Sequence, residues 1–131
     1  MALKVKIFSF SYKMSGIPED NSGNGGGFVF DCRFIYNPGR LEEFGNLTGK
    51  DKEIIDFLDG KKSMQEFLEN VIAIIKPAIE NYLERDFTDL MISFGCTGGR
   101  HRSVYCAEKI NKYINKTFPQ VLTKLHHIEL Q

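Results

Sequence analysis

The amino-acid sequence predicts an α/β fold, one domain over residues 1–131, with a mostly parallel sheet flanked by helices. Two observations lead to it. Short runs rich in β-branched and aromatic residues, at residues 3–8, 28–34, 89–95 and 121–130, alternate with segments whose apolar residues recur at three and four. That alternation marks β-α-β units. The chain has 131 residues and 42% hydrophobic content, enough to bury one core and too little to divide comfortably into two.

In the first run Leu3, Val5 and Ile7 alternate with Lys4, Lys6 and Phe8, the period of two of a half-buried strand. Residues 17–27, IPEDNSGNGGG, have the composition of a flexible loop, with a Gly/Asn-rich insertion at about 20–27. A second strand over 28–34, FVFDCRF, places Asp31 and Arg33 on one face and Cys32 on the other, so two opposite charges share a surface and need a reason. Asn37-Pro38-Gly39 signals a turn, and residues 51–58 read as a short helix stopped by Gly60. Ser63 and Glu66 form a capping box for a longer helix, with Met64, Phe67, Leu68, Val71, Ile72, Ile75, Ile79 and Leu83 as its core-facing stripe. Pro77 interrupts this stripe, so a kink or break is expected near Lys76. DLMISFG then reads as a strand ending in glycine, a helix carrying Val104, Ala107, Ile110 and Ile114 follows, and VLTKLHHIEL closes the chain as a last strand. Phe8, Phe10, Phe28, Phe30, Phe34 and Phe94 sit in the strand patterns and are expected in the core rather than as base-stacking platforms.

Seventeen basic and seventeen acidic residues cancel. No global field attracts nucleic acid, and an anion site has to be a local concentration of positive charge. Cys32, Cys96 and Cys106 make an odd count without metal-ligand spacing. That fits reduced thiols better than a disulfide framework, and no metal site or cofactor is expected. The apolar run at the amino end is too short for a signal peptide, and no stretch approaches the roughly 18 apolar residues of a membrane helix. A cytoplasmic chain with no membrane partner is expected.

The segment SFGCTGGRHRSVYCAE holds the chemistry. It falls where a parallel strand passes into a helix, the edge of an α/β sheet at which ligands sit. Gly98 and Gly99 allow positive φ and close backbone approach, so that amides and the helix amino end face an anion. Arg100, His101 and Arg102 bring cationic or donor side chains to the same rim, and Ser103 falls at a capping position. Together these residues are a cradle for phosphate.

The same stretch satisfies C-x5-R-S and resembles the loop of cysteine-dependent phosphatases, in which Cys96 would attack phosphorus and Arg102 would hold the equatorial oxygens. Gly95 stands where those enzymes usually carry histidine, and no general acid is assignable. Cys96 as a small residue at a crowded strand end is the preferred reading.

A wider resemblance covers the chain. SFSYKMSGIPED, FVFDCRFIYNPG, LTGKD, SFGCTGGRHRSVYCAE and the terminal HIEL, in order from Ser9 to Leu130, are similar to the C-terminal domain of the RapZ family, bacterial RNase-adapter and nucleotide-binding proteins. The resemblance implies binding of a phosphorylated metabolite: an amino-sugar phosphate, a nucleotide-sugar or a nucleotide. For some members it also implies small regulatory RNA and an RNase as partners. The G-x-x-x-x-G-K-[ST] loop of the family's amino-terminal domain is absent from this sequence. Laid on this chain, the resemblance brings residues 9–13, 31–37 and 97–103 and His127 to one pocket. Arg33, Arg100, His101 and Arg102 would supply charge, and Thr97, Gly98 and Gly99 would hold phosphate oxygens. Asp31 would be either a hydroxyl or amine acceptor for a sugar or the internal partner of an arginine.

Overall fold

The computed structural model describes residues 2–130. Its sheet has four parallel strands in the order β2-β3-β1-β4: β1 Lys4–Ser11, β2 Phe28–Asp31, β3 Asp89–Cys96 and β4 Leu122–His127. Three helices, α1 Lys52–Asp59, α2 Lys62–Glu84 and α3 Arg102–Thr117, pack on it. The predicted α/β class is the class observed.

The direction of each crossover decides which face it covers. The steps β2 to β3 and β3 to β4 run the same way across the sheet, so right-handed connections put α2 and α3 on one face. The step β1 to β2 runs backwards and its connection passes over the other face, where Ile17 and Pro18 line a hollow together with Met91 and Ser93. Alternation in β1 follows: Val5 and Ile7 join Ile92 and Phe94 in the helix-side core, while Lys4, Lys6 and Phe8 stay partly exposed.

α2 buries Met64, Leu68, Val71, Ile75 and Ile79 at spacings of three and four. It runs without interruption through Pro77, against the expected break near Lys76. Pro77 lies on the exposed side. Its cost of about 3 kcal/mol is outweighed by five buried apolar side chains at roughly 1.5–3 kcal/mol each. The expected capping box does not form: the helix begins before Ser63, its N-cap is Lys61 with no side-chain bond, and the Gln65 amide reaches back to the Leu58 carbonyl at 3.0 Å. No helix is long and apolar enough, among the described residues, to cross a membrane.

Two strands are shorter than expected. β2 stops at Asp31 because the Asp31 carboxylate accepts the Arg33 amide at 2.8 Å and turns the chain. β4 ends at His127, and Ile128–Leu130 form a 3-10 turn. Around Asn37 the chain makes two further 3-10 turns, Pro38–Arg40 and Glu42–Phe44, with the Asn37 side chain accepting the Gly39 amide. In the Gly/Asn-rich loop, Asp20 accepts the amides of Ser22 and Gly26, both at 2.9 Å, which hold its carboxyl down at about 2.

Candidate functional site

Parallel strands bring their carboxyl ends to one edge, and there β3 passes into α3 through residues 97–101. Gly99 has φ of +71° and rests against β1: a Cβ there would lie 2.8 Å from the Ser11 nitrogen and 2.5 Å from Glu129 Cγ. Gly98 has open space on its Cβ side. Glycine at 99 is therefore demanded by the fold, whereas glycine at 98 leaves room for an approaching group. Among the described residues, the backbone amides of Gly98, Gly99, Arg100, His101 and Arg102 have no internal acceptor. Those at the start of α3 carry the helix's partial positive charge.

Arg102 is only 4% exposed, and its guanidinium crosses to the segment after β2. Nη1 donates to the carbonyls of Arg33 at 2.7 Å and Ile35 at 2.8 Å, Nη2 lies 3.5 Å from the Thr97 hydroxyl, and buried Nε–H has no acceptor. Beside it opens a cavity of about 390 Å³ whose polar lining is Arg33, Asn37, Arg40, Thr97 and Arg102, with Phe34, Ile35 and Tyr36 along one side. Larger hollows of about 480 and 450 Å³ lie under the Gly/Asn-rich loop and on the open sheet face. The cavity beside Arg102 combines three guanidinium groups with the unpaired amides of the adjoining β3–α3 loop.

Arg33 is not an unpaired cation. It grips Asp31 through Nε and Nη2 at 2.7–3.1 Å and stacks 3.9 Å over the Tyr12 ring. These bonds hold the Asp31 carboxyl below the usual carboxylate range. Of the two roles open to Asp31, the structure shows partnership with an arginine.

Other expected residues lie apart. His101 is turned away from the cavity lining, its Nε2 3.2 Å from the Phe44 carbonyl and its ring against Gly39, and burial lowers its pKa. His101, not Ser103, is the N-cap residue of α3. Ser103 is buried inside the first turn, where its Oγ accepts the Cys96 thiol at 3.1 Å. Cys96 is 2% exposed and does not line the cavity. His127 ends the strand at the opposite edge from β2, with Nδ1 on Ser9 Oγ at 2.6 Å and Nε2 on Glu108 at 2.7 Å. Arg100 donates no side-chain bond among the described residues, while its carbonyl accepts the Gly49 amide at 2.8 Å.

Arg40 was missed by sequence reasoning, Tyr36 entered only as part of the 31–37 stretch, and Phe34 was misread. Phe34, expected in the core, is 70% exposed and Tyr36 46%, with Ile35 buried between them. The Asn-Pro-Gly turn that precedes Arg40 was the available signal, since it folds into the 3-10 turn Pro38–Arg40 beside the segment that follows β2.

The protein is thus an α/β domain with a basic, partly aromatic cavity at the carboxyl edge of its parallel sheet, next to an uncapped helix amino terminus. It belongs to the RapZ C-terminal domain family, whose model matches residues 3–131. The relatives include proteins named "nucleotide-binding protein": one from Thermosipho melanesiensis is 36% identical over 119 residues, covering 91% of this chain and 41% of the relative. One from Bifidobacterium adolescentis is 43% identical over 110 residues, covering 84% and 34%. The chain spans about two fifths of the length of the first relatives it matches.

Proposed function

We propose that this domain binds and senses a phosphorylated small metabolite, an amino-sugar phosphate, nucleotide-sugar or nucleotide, in the cavity beside Arg102. The observation that carries the reading is the Arg102 guanidinium on the cavity lining, whose Nε–H has no acceptor. A buried donor left unpaired costs about 1–3 kcal/mol, and a phosphate oxygen that reached it would offset that cost. Arg33 is neutralised by Asp31, so Arg40 and Arg102 leave two formal positive charges along the lining. That matches the charge of a phosphomonoester near neutral pH, about −1.5 to −2. The Thr97 hydroxyl and the free amides of the β3–α3 loop add donors, and the relatives' name fits a phosphate-bearing ligand.

Calorimetric titration with inorganic phosphate, a hexosamine phosphate, a nucleotide-sugar and a nucleotide tests this reading. At least one should bind saturably, and Arg40→Ala should weaken it roughly tenfold or more, the worth of one charge-assisted bond. Arg40 is exposed, and its amide bond to the Asn37 carbonyl is kept by alanine, so the variant reports on binding rather than folding. Failure of every probe would remove the proposal.

A further inference from the structure

Three sulfur atoms outside the cavity lie in one line of contact. Cys32 Sγ is 3.8 Å from Cys106 Sγ, which is 3.5 Å from Met64 Sδ, and all three residues are fully buried. The two thiols come from different elements. Cys32 follows β2 and begins the segment whose carbonyls at Arg33 and Ile35 accept Arg102, while Cys106 stands one helical turn beyond Arg102 on α3. The cavity wall is therefore joined to α3 twice, by a guanidinium and by a thiol contact.

We propose that Cys32 and Cys106 are a redox modification pair: a small hydroperoxide converts them to a disulfide that fixes residues 32–35 to α3 and changes ligand affinity in the neighbouring cavity. The affinity half of this proposal rests on the binding function proposed above; the disulfide itself does not. The chemistry balances. One thiolate attacks the peroxide, the O–O bond breaks, and a sulfenic acid forms together with one water from hydrogen peroxide or one alcohol from an organic hydroperoxide; the second thiolate displaces the sulfenic oxygen as water, leaving the S–S bond. Two thiols lose two electrons and two protons, and the peroxide gains them.

Reaction is gated by the fold. Burial pushes the Cys32 thiol well above its ordinary range, so it stays protonated and inert while the wall is seated. Oxidation proceeds when residues 32–35 lift and water reaches the sulfurs, an opening resisted by the Cys32 amide bond to Gly95 and the two Arg102 bonds. A disulfide holds its sulfurs at about 2.0 Å, well inside the present 3.8 Å contact. Any part of that gap not closed by side-chain rotation draws the wall towards α3 and moves the carbonyls that orient Arg102. Cys96 Sγ instead donates to Ser103 Oγ at 3.1 Å, while the sulfur–sulfur contact joins Cys32 to Cys106.

The chain is treated with hydrogen peroxide and mapped by non-reducing proteolysis and mass spectrometry. The expected product has lost two hydrogens and joins the peptides of Cys32 and Cys106. Thiol reductant reverses it, Cys106→Ala abolishes it, and Cys96→Ala leaves it intact. No linked peptide, or one through Cys96, overturns the proposal, and mapping the unmutated chain decides this without a variant that must fold. Inorganic phosphate affinity should then differ about fivefold or more between reduced and oxidised forms, the lower range of measured site coupling. A disulfide with unchanged phosphate affinity overturns the coupling and leaves the binding site standing. If phosphate binds neither form, the binding reading has lost its phosphate arm and the peptide map alone judges the disulfide.

Discussion

The Arg102 guanidinium donates to the Ile35 carbonyl at 2.8 Å, joining the first turn of α3 to a segment 67 positions earlier in the chain. One side chain thus ties the cavity wall to α3 with Nη1, while its buried Nε–H has no acceptor.

Replacing that side chain should cost both structure and binding. Arg102→Lys keeps the charge but has no planar fork to reach two carbonyls and a ligand together. Urea unfolding should show a loss of about 2–4 kcal/mol, since two buried acceptors lose a charged donor. Calorimetry on the folded fraction should show phosphate binding lost. Unchanged stability would mean that the two carbonyl bonds carry no load.

The adjacent glycines should respond oppositely. Gly99→Ala places a Cβ against the Ser11 nitrogen and the Phe10 carbonyl carbon at a φ of +71°. It should destabilise by about 2 kcal/mol or more, from left-handed strain and a clash with backbone. Gly98→Ala meets nothing within 4 Å and should change stability by less than about 0.5 kcal/mol. It should nevertheless weaken phosphate binding. Thermal denaturation and titration of both variants check the contrast.

Acid should loosen the loop through His101. Burial lowers its pKa in the folded chain, so below the unfolded value near 6.5 the unfolded state binds more protons than the native one. The contribution of His101 to stability is then intact above that pH and is lost as the pH falls through the folded value. Denaturation curves between about pH 7.5 and 5 should show a decline that is shallower in His101→Gln.

Pro77→Ala should stabilise the protein. Alanine restores the missing donor at an exposed position inside α2, worth up to about 3 kcal/mol by helix propensity. Part of this is offset because proline also restricts the unfolded chain. An increase in urea midpoint at unchanged m-value is the expected result.

Asp20→Ala should act locally. The Ser22 and Gly26 amides lose their acceptor, so amide exchange across residues 20–27 should accelerate while global stability stays nearly level. A large fall in melting temperature would show that the loop supports the sheet.

The strands, the helices and their parallel class were legible because each rests on local periodicity. Val5 and Ile7 in β1 and Met64 to Ile79 in α2 announce their buried faces without reference to neighbours. The β3–α3 loop was legible for the same reason: its glycines and basic residues are consecutive. What was not legible depends on residues distant in sequence. Nothing local says that Arg102 would spend Nη1 on Arg33 and Ile35, or that His127 would face Ser9 and Glu108 instead of a shared pocket. Phe34 was misread because a strand pattern was carried past Asp31, where a carboxylate turned the chain. Pro77 misled in the other direction, a local penalty overruled by packing along the whole stripe.

The sheet order has a consequence for how this chain is made. β1, near the amino terminus, occupies an interior position, and one of its two partners is β4, with Ser9 and His127 meeting across 118 positions. A ribosome releases the amino end first, so β1 emerges long before either flank of its ladder exists. The β4 side of its ladder must wait, open to chaperones or to neighbouring nascent chains, until that strand has cleared the exit tunnel.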